Sequence, residues 1–445
     1  MKTKNFRGGV YLPWAKHLTK FKPIERAPIP KIAVIPLGWQ KFSTDTNSLN
    51  ENGTPIVSPG DIVKVGTKIG KSLERNYTSV HSSISGIVKS IESRVHPDGG
   101  NIECVIIESD TEDIWEDLKS DPNIESLASS EIVNRVRSAG IVGLEDASLS
   151  AYLTRDVKPP SGKDKRIEFV ILNGMEYEPY LTGGYRLMIE QLQEILLGGN
   201  LIMKAVGGIT CRGYLAIEEN EREVISKFKS LSHNFGFELC IIQSKYPQGI
   251  DRHLVYAVSG RKVPNNGNSL NVGVYIQPVS TAVAIYEACS IGKPLIERVV
   301  TVTGDVKEAK NLLVRIGTPF KDLIEYCGGY TSEPTKIIMG GPMMGVTQIS
   351  DEVPVVWSTS GILVQCKASL SLDEPCIRCG TCVDVCSVGL LPVKMAAYIT
   401  KNKFNETKEL GVLDCIECGS CAWACPSKRN LIHLFKYAKL KLDRG

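Results

Sequence analysis

The chain has 445 residues, of which 42% are hydrophobic and 23% charged, an ordinary composition for a globular protein of about three domains. Its 52 basic and 49 acidic residues nearly balance, so the net charge gives no case for binding nucleic acid or an anionic membrane surface. No apolar run approaches the about 18 residues of a transmembrane helix, and the N-terminus lacks the apolar segment of a signal peptide. We therefore expect a cytoplasmic protein with no transmembrane segment.

The first half of the chain changes character near residue 130. Residues 1–25 form an irregular arm, and from 28 to about 110 short β-branched runs alternate with Gly and Pro, which predicts a small β-barrel or sandwich. The acidic stretch 112–130 is typical of a linker. From 130 to 250, strand and helix patterns alternate, beginning with the apolar strand EFVILNG (168–174) and the helical YRLMIEQLQEILL (185–197). This alternation predicts an α/β layer with a parallel sheet.

Two further units follow. In residues 265–350, NVGVYIQPV (271–279) and ERVVTVTGDV (297–306) are strand-like, and NLLVRIGTPFKDLIEY (311–326) predicts a short helix after a turn. The stretch IIMGGPMMGV (337–346) is typical of a Gly-rich apolar loop. Residues 366–445 contain most of the cysteines and end in the helical pattern NLIHLFKYAKLKL (430–442).

Eight of the 14 cysteines lie in two motifs, CIRCGTCVDVC (376–386) and CIECGSCAWACP (415–426). Both have the spacing C-x2-C-x2-C-x3-C, which is that of bacterial ferredoxins with two [4Fe–4S] clusters. In this arrangement three cysteines of one motif hold a cluster, and the fourth cysteine of the other motif completes it. A pair of zinc sites is the alternative, but zinc prefers two separate C-x2-C knuckles and fits a third nearby cysteine poorly.

The spacing therefore predicts two ligand sets. The first cysteine set, for one [4Fe–4S] cluster, consists of Cys376, Cys379, Cys382 and Cys425. The second cysteine set, for the other [4Fe–4S] cluster, consists of Cys415, Cys418, Cys421 and Cys386.

The sequence resembles the RnfC family, the cytoplasmic ferredoxin-domain subunits of Rnf electron-transport complexes and their soluble relatives. The resemblance is carried by both cysteine motifs with their flanks and by FRGGV (6–10), NGMEYEPYLT (173–182) and GKPLIERVVTVTGDVKEAKNLLVRIGTPF (292–320). It implies a multidomain α/β plus β fold of four parts. These are an arm with a barrel-sandwich hybrid domain (1–112), a complex I flavoprotein-like α/β domain (130–262), a β-grasp-like SLBB domain (263–350) and a two-cluster ferredoxin-like α domain (366–445).

The resemblance also implies electron flow between NADH, FMN and the clusters, but the flavin loop departs from the family pattern. The family loop reads G-x-G-G-A-x-F-P-T, and here Glu145 and Asp146 replace its two central glycines. Two carboxylates beside an anionic flavin phosphate are unfavourable, at about 4 kcal/mol for one close like-charge pair. Alternatively, Asp146 or Ser148 caps a helix over residues 147–153.

Other flavin-contact loops also differ from the family pattern. Tyr177 replaces a family cysteine, and Pro278 begins a Pro-Val-Ser-Thr stretch where the family has Asn-Val-Gly-Thr. Three family residues persist as candidates for a vestigial flavin site, namely Asn173, Glu176 and Glu178. We therefore expect no catalytic residue of this chain's own and doubt that it binds FMN.

The expected function is an iron–sulfur protein that relays electrons through two [4Fe–4S] clusters to a partner redox protein, with its NADH/FMN site degraded. The partner would be an amino-acid reductase-type enzyme, as for soluble relatives in anaerobes, or Rnf-type subunits, in which case the chain would sit peripherally at the membrane. The alternative is a working FMN-dependent NADH dehydrogenase subunit of an Rnf-type complex.

Overall fold

The computed structural model describes residues 3–38, 53–72, 79–141, 166–207, 211–231, 235–265, 267–367 and 373–443. The strands are β1 (Ile24–Arg26), β2 (Ile32–Pro36), β3 (Gly53–Pro55), β4 (Ile62–Val63), β5 (Lys68–Ser72), β6 (Ser79–His81), β7 (Gly86–Val95), β8 (Asn101–Ser109), β9 (Phe169–Asn173), β10 (Arg212–Glu218), β11 (Phe237–Ile242), β12 (Val274–Pro278), β13 (Glu297–Gly304), β14 (Lys310–Arg315), β15 (Lys336–Met339), β16 (Val346–Thr347) and β17 (Gly361–Gln365). The α-helices are α1 (Ser129–Ser138), α2 (Gly183–Glu190), α3 (Leu192–Val206), α4 (Arg222–Leu231), α5 (Asp251–Ser259), α6 (Val279–Ser290), α7 (Phe320–Tyr326), α8 (Thr381–Asp384), α9 (Pro392–Ile399), α10 (Phe404–Glu409), α11 (Ser420–Trp423) and α12 (Leu431–Asp443).

The N-terminal β unit is a sandwich of two antiparallel sheets. One sheet has the order β2-β8-β7-β4 and the other β3-β5-β6. Alternate residues of the strands point inward, and Ile35, Ile69, Ile84 and Ile107 form the centre of the core with at most 1% exposure. The β-branched runs between Gly and Pro turns thus form short strands, as their pattern predicts.

The α/β unit contains a parallel sheet of order β11-β10-β9-β12. Ile171 of the central strand β9 pairs with Tyr214 of β10 and Ile276 of β12. Helices cover this sheet, which is why β9 is apolar along almost its whole length. The fourth strand, β12, and the helix α6 that follows it lie beyond residue 262, where the family resemblance implies the end of this unit, so the unit extends further along the chain.

The third unit is built around a six-stranded sheet of order β1-β14-β13-β17-β15-β16. The strand β1 comes from the N-terminal arm and β17 from residues 361–365, both outside the range 263–350 expected for this unit. The short helix predicted after a turn within 311–326 is found at Phe320–Tyr326. The residues before the turn, 310–315, pair with β13 as an antiparallel strand, which the local pattern did not predict.

The C-terminal module is helical and holds both cysteine motifs. Its core contains Met395, Ala396, Leu431 and Phe435 from α9 and α12, all at most 2% exposed. Within the described ranges, no helix is long and apolar enough to cross a membrane.

Candidate functional site

The two cysteine motifs fold into loops of the same backbone shape. In the first, Arg378 and Gly380 have positive φ angles of 59° and 82°, and α8 follows. In the second, Glu417 and Gly419 have φ angles of 54° and 78°, and α11 follows. Such left-handed turns reverse the chain within a few residues and give the two motifs matching backbone paths.

In each loop a hydroxyl group lies beside the second cysteine of the motif. The Thr381 hydroxyl donates to Cys379 Sγ at 3.3 Å, and Ser420 Oγ lies 3.4 Å from Cys418 Sγ. Hydrogen bonding from Thr381 lowers the pKa of the Cys379 thiol and so favours its thiolate, whereas burial raises the pKa of the Cys418 thiol. Thiolate is the form that ligates iron.

The fourth cysteine of each motif lies beside the other motif. Burial raises the pKa of the Cys382 thiol, and the nearby thiols of Cys379, Cys425 and Cys376 add to the rise. Cys425 is therefore close to cysteines of the first motif.

The second set shows the same crossing. Burial raises the pKa of Cys421 above its ordinary value, and the neighbours that add to this are Cys415, Cys418, Cys386 and Cys382. Cys386 thus lies among the cysteines of the second motif, and the two sets adjoin. Within the described residues, no three His, Cys, Asp or Glu side chains converge tightly enough to hold a single metal ion. Two groups of four thiols in ferredoxin loops are donors that fit two cubane clusters.

The two sets differ in exposure. Cys376 and Cys379 of the first set are exposed, as is the intervening Ile377 at 67%. In the second set, Cys418 and Cys421 are buried, at 9% and 7%. The first set is therefore the more exposed of the two, and the second is the more buried, although Cys386 and Cys415 of the second set are partly exposed.

The second set faces the α/β unit. The Tyr246 hydroxyl donates to the Cys418 carbonyl at 2.5 Å, and Arg252 forms an ion pair with Asp414 at 3.2 Å. The arm covers the same side, because the Gly9 amide donates to the Val385 carbonyl. Sequence reasoning missed Tyr246; its place in KYPQG (245–249), shortly after β11, was the available signal.

Asn173, Glu176 and Glu178 lie together at the carboxyl edge of the parallel sheet, in a cavity of about 190 Å³. Asn173 donates to the Gly249 carbonyl at 2.9 Å and accepts from the Met175 amide. Glu176 accepts from the Gly184 amide at 3.0 Å. This edge is where ligands of open parallel sheets bind.

The cavity region is rich in buried carboxylates. Burial raises the pKa of Glu176, and it raises the pKa of Glu178 to about 7. Burial, followed by the neighbouring Glu218, also raises the pKa of Glu221 well above its usual range. Lys16 of the arm lies 3.9 Å from Glu218 and donates to the Glu176 carbonyl. Lys16 is thus close to several buried acidic groups, and burial shifts these groups toward the neutral form.

Two further side chains bear on whether a flavin could bind. The ring of Tyr177 packs against Gly249 in the loop after β11, so closely that a Cβ added at Gly249 would lie 1.8 Å from the ring. Arg298 lines the cavity with buried Nε and Nη1 atoms that have no hydrogen-bond partner among the described residues, and burial lowers its pKa to about 9. Sequence reasoning missed Arg298 as well as Lys16, Glu218 and Glu221. The predictions about Glu145, Asp146 and a helix over 147–153 lie outside the described residues.

Close relatives cover almost the whole chain. A subunit of the Na(+)-translocating ferredoxin:NAD(+) oxidoreductase complex of Acetobacterium woodii is 37% identical over 447 residues, which is 99% of this chain and 98% of that protein. The corresponding subunit of the proton-translocating ferredoxin:NAD(+) oxidoreductase complex of Clostridium ljungdahlii is 38% identical over 441 residues, which is 98% and 93% of the two chains. The chain belongs to the RnfC family.

Family models match four successive segments of this RnfC-family chain. They are the RnfC barrel sandwich hybrid domain (4–112), the Nuo51 FMN-binding domain (136–287), the SLBB domain (299–347) and the 4Fe-4S dicluster domain (370–426). A chain of the NAD+-reducing [NiFe]-hydrogenase in the air-oxidized state aligns with a TM-score of 0.50 at 13% identity, over 73% of this chain and 67% of that chain. That likeness concerns the fold alone.

These findings confirm the family and the four kinds of domain expected from the sequence. The dicluster domain makes this RnfC-family member an iron–sulfur electron-transfer protein. The presence of an FMN-binding type of domain does not establish that FMN is bound.

Proposed function

We propose that this chain relays electrons through two [4Fe–4S] clusters to a partner redox protein, and that its NADH/FMN site is degraded. The observation that carries the relay is the unequal exposure of the two cysteine sets. The first, with Cys376 and Cys379, is open to a partner, and the second, with Cys418 and Cys421, faces the α/β unit. Electrons would cross the molecule from one set to the other.

The proposed ligands are the crossed sets. The first cluster would be held by Cys376, Cys379, Cys382 and Cys425, and the second by Cys415, Cys418, Cys421 and Cys386. When bound, the clusters supply one-electron redox chemistry. The chain's own residues would wrap them, with the Thr381 hydroxyl donating to Cys379 Sγ and the Ser420 hydroxyl beside Cys418 Sγ, and would shield the second cluster from water more than the first.

The degradation of the flavin site is supported by existing hydrogen bonds and by space. Asn173, Glu176 and Glu178 are each hydrogen-bonded to backbone within the protein. Tyr177 fills the space beside Gly249. A flavin would have to displace these contacts in order to enter the cavity.

Anaerobic titration of the purified protein with NADH tests this function. We expect NADH to leave the visible absorbance of the clusters unchanged, because no flavin splits the hydride into single electrons. Dithionite should bleach the same absorbance, which is the control that the clusters are redox-active. Bleaching by NADH at a catalytic rate would overturn the degraded-site proposal.

The second candidate function is an FMN-dependent NADH dehydrogenase subunit of an Rnf-type complex. It is favoured by the match of residues 136–287 to the Nuo51 FMN-binding domain. It is also favoured by Arg298 at the cavity, whose buried Nε and Nη1 atoms lack a partner within the part of the chain that the structure describes. It predicts a yellow protein that NADH bleaches.

For the partner we propose a redox protein that docks near the first cluster. The names of the relatives point to subunits of an Rnf-type complex, and an amino-acid reductase-type enzyme is the soluble alternative. We expect the chain to meet either partner in the cytoplasm. With Rnf-type subunits it would sit peripherally at the membrane. Affinity capture with the chain from anaerobically grown cells distinguishes the two by whether membrane subunits co-purify.

A further inference from the structure

Glu178 connects the cavity to the second cysteine set. Its carboxylate lines the cavity and accepts two backbone bonds from the Gly-rich loop 340–345, from the Met344 amide at 2.8 Å and the Met343 amide at 3.2 Å. The contact is close, because a Cβ at Gly341 would lie 2.2 Å from Glu178 Oε2. Glu178 is itself only 8% exposed. Bonds from amides to a buried carboxylate are strong and fix the loop.

The loop that Glu178 holds covers the second cysteine motif. A Cβ at Gly419 would be 3.3 Å from both Met343 Cε and the Met343 carbonyl oxygen. Met343 also packs in an apolar cluster with Cys418, Tyr246 and Val10. The Tyr246 hydroxyl closes the other side through its bond to the Cys418 carbonyl. The loop 340–345 thus covers the second motif, and the hydrogen bonds that fix this loop go to Glu178 rather than to the motif.

We propose that Glu178 is a positioning residue for the second cluster, because it holds Met343 against Gly419 and thereby keeps water from that cluster. This inference rests on the ligand sets of the proposed function. Solvent exposure is one of the main determinants of a cluster's reduction potential, since water stabilises the more negative, reduced state. Loss of the cover should therefore raise the potential of the second cluster.

Glu176 shows why the role belongs to Glu178 in particular. Both carboxylates are buried and line the same cavity, but Glu176 bonds the Gly184 amide at the start of α2. The cavity therefore contains a matched acidic residue whose backbone bond goes to a different segment. A general effect of charge or of cavity stability should appear at both positions, and an effect of loop placement only at Glu178.

The test is a redox titration followed by electron paramagnetic resonance on the full-length protein with both clusters. In Glu178→Gln an amide donor replaces one acceptor oxygen, so one loop amide loses its partner. Met343→Ala removes the cover without changing any charge, and Glu176→Gln is the control. We expect the potential of the second cluster to rise in Glu178→Gln and Met343→Ala. The potential of the first cluster should stay unchanged in all three variants. In Glu176→Gln the potential of the second cluster should also equal that of the wild type.

Several outcomes would overturn the inference. An unchanged reduction potential of the second cluster in Glu178→Gln would do so. So would a shift of that potential in Glu178→Gln that is absent from Met343→Ala, since such a result indicates an effect of charge alone. A shift of the second cluster's potential in Glu176→Gln as large as that in Glu178→Gln also contradicts the inference. If Glu178→Gln does not fold, Met343→Ala alone decides. A protein without two clusters would instead refute the proposed function, and that is visible in the wild-type spectrum before any variant is made.

Discussion

Cys386 and Cys425 are the residues whose positions test the cluster assignment, because each is predicted to bind the cluster whose other three ligands come from the other motif. Local spacing was enough to predict this crossing, since a ferredoxin motif encodes its turn and its ligands within eleven residues. Lys16, Glu218 and Glu221 could not be predicted in the same way. They meet only after the arm, β10 and α4 have been brought together by tertiary packing.

The crossed ligands make a specific prediction. Cys425→Ala should lose the first cluster and retain about four irons of eight, because it removes the fourth ligand of that cubane. Its paramagnetic resonance spectrum should match that of Cys376→Ala and differ from that of Cys415→Ala. Cys366→Ala, which removes a cysteine outside both sets, should retain both clusters. A Cys425→Ala spectrum that matches Cys415→Ala would refute the crossing.

His253 on α5 provides a prediction on pH. It is 6% exposed, and its ring stacks on Phe6 of the arm with centroids 4.4 Å apart. Burial, with Lys245 and Arg252 nearby, lowers its pKa from 6.5 to about 4. The unfolded chain therefore binds the proton first, and the stability that depends on the neutral ring is lost as pH falls from 6.5 toward 4.

His253→Phe keeps an aromatic ring against Phe6 but cannot titrate. Between pH 7.5 and pH 5.5 we expect the wild type to lose about 1.3 kcal/mol more unfolding free energy than this variant. Urea denaturation followed by circular dichroism under anaerobic conditions measures the difference. Parallel losses in the two proteins would show that His253 is not the buried neutral group described.

At the scale of elements, the N-terminal arm connects three units. The Lys4 amide bonds the end of β11, Gly9 bonds Val385 of the cluster module, and β1 joins the six-stranded sheet. Its sequence has no periodic pattern, so only an irregular segment could be predicted. In the same way, β17 could not be assigned to its sheet, because its pairing partners β15 and β13 lie about 25 and 60 residues away and local sequence does not encode such distant pairings.

Gly8 tests the docking of the arm. Its φ is 74°, and an added Cβ would lie 2.8 Å from the Cys386 carbonyl oxygen, so Gly8→Ala combines backbone strain with a clash. We expect a cost of about 1–2 kcal/mol and therefore roughly 5–30-fold faster hydrogen exchange at the Gly9 and Val10 amides. Gly60→Ala is the control, because Gly60 has a φ of 96° but no atom of the described residues lies within 4 Å of the added Cβ. Unchanged exchange in Gly8→Ala would contradict the docking.

At the scale of the whole molecule, the sequence was sufficient for the four kinds of domain but not for their arrangement. Each domain type was implied by the resemblance of its motifs to the RnfC family, whereas the placement of the second cysteine set against Tyr246 and Met343 depends on contacts between distant segments. The boundary near residue 262 was displaced for the same reason, since β12 pairs with β9 across about a hundred residues. The flavin loop prediction rests on residues 142–165, which the structure does not describe.

The central claim is that this RnfC-family chain carries two clusters but no working flavin site. Iron, sulfide and flavin analysis of the anaerobically purified protein tests it most directly. The account predicts about eight irons and eight sulfides per chain, from two cubanes, with flavin far below one per chain. Stoichiometric FMN alongside the clusters would contradict it.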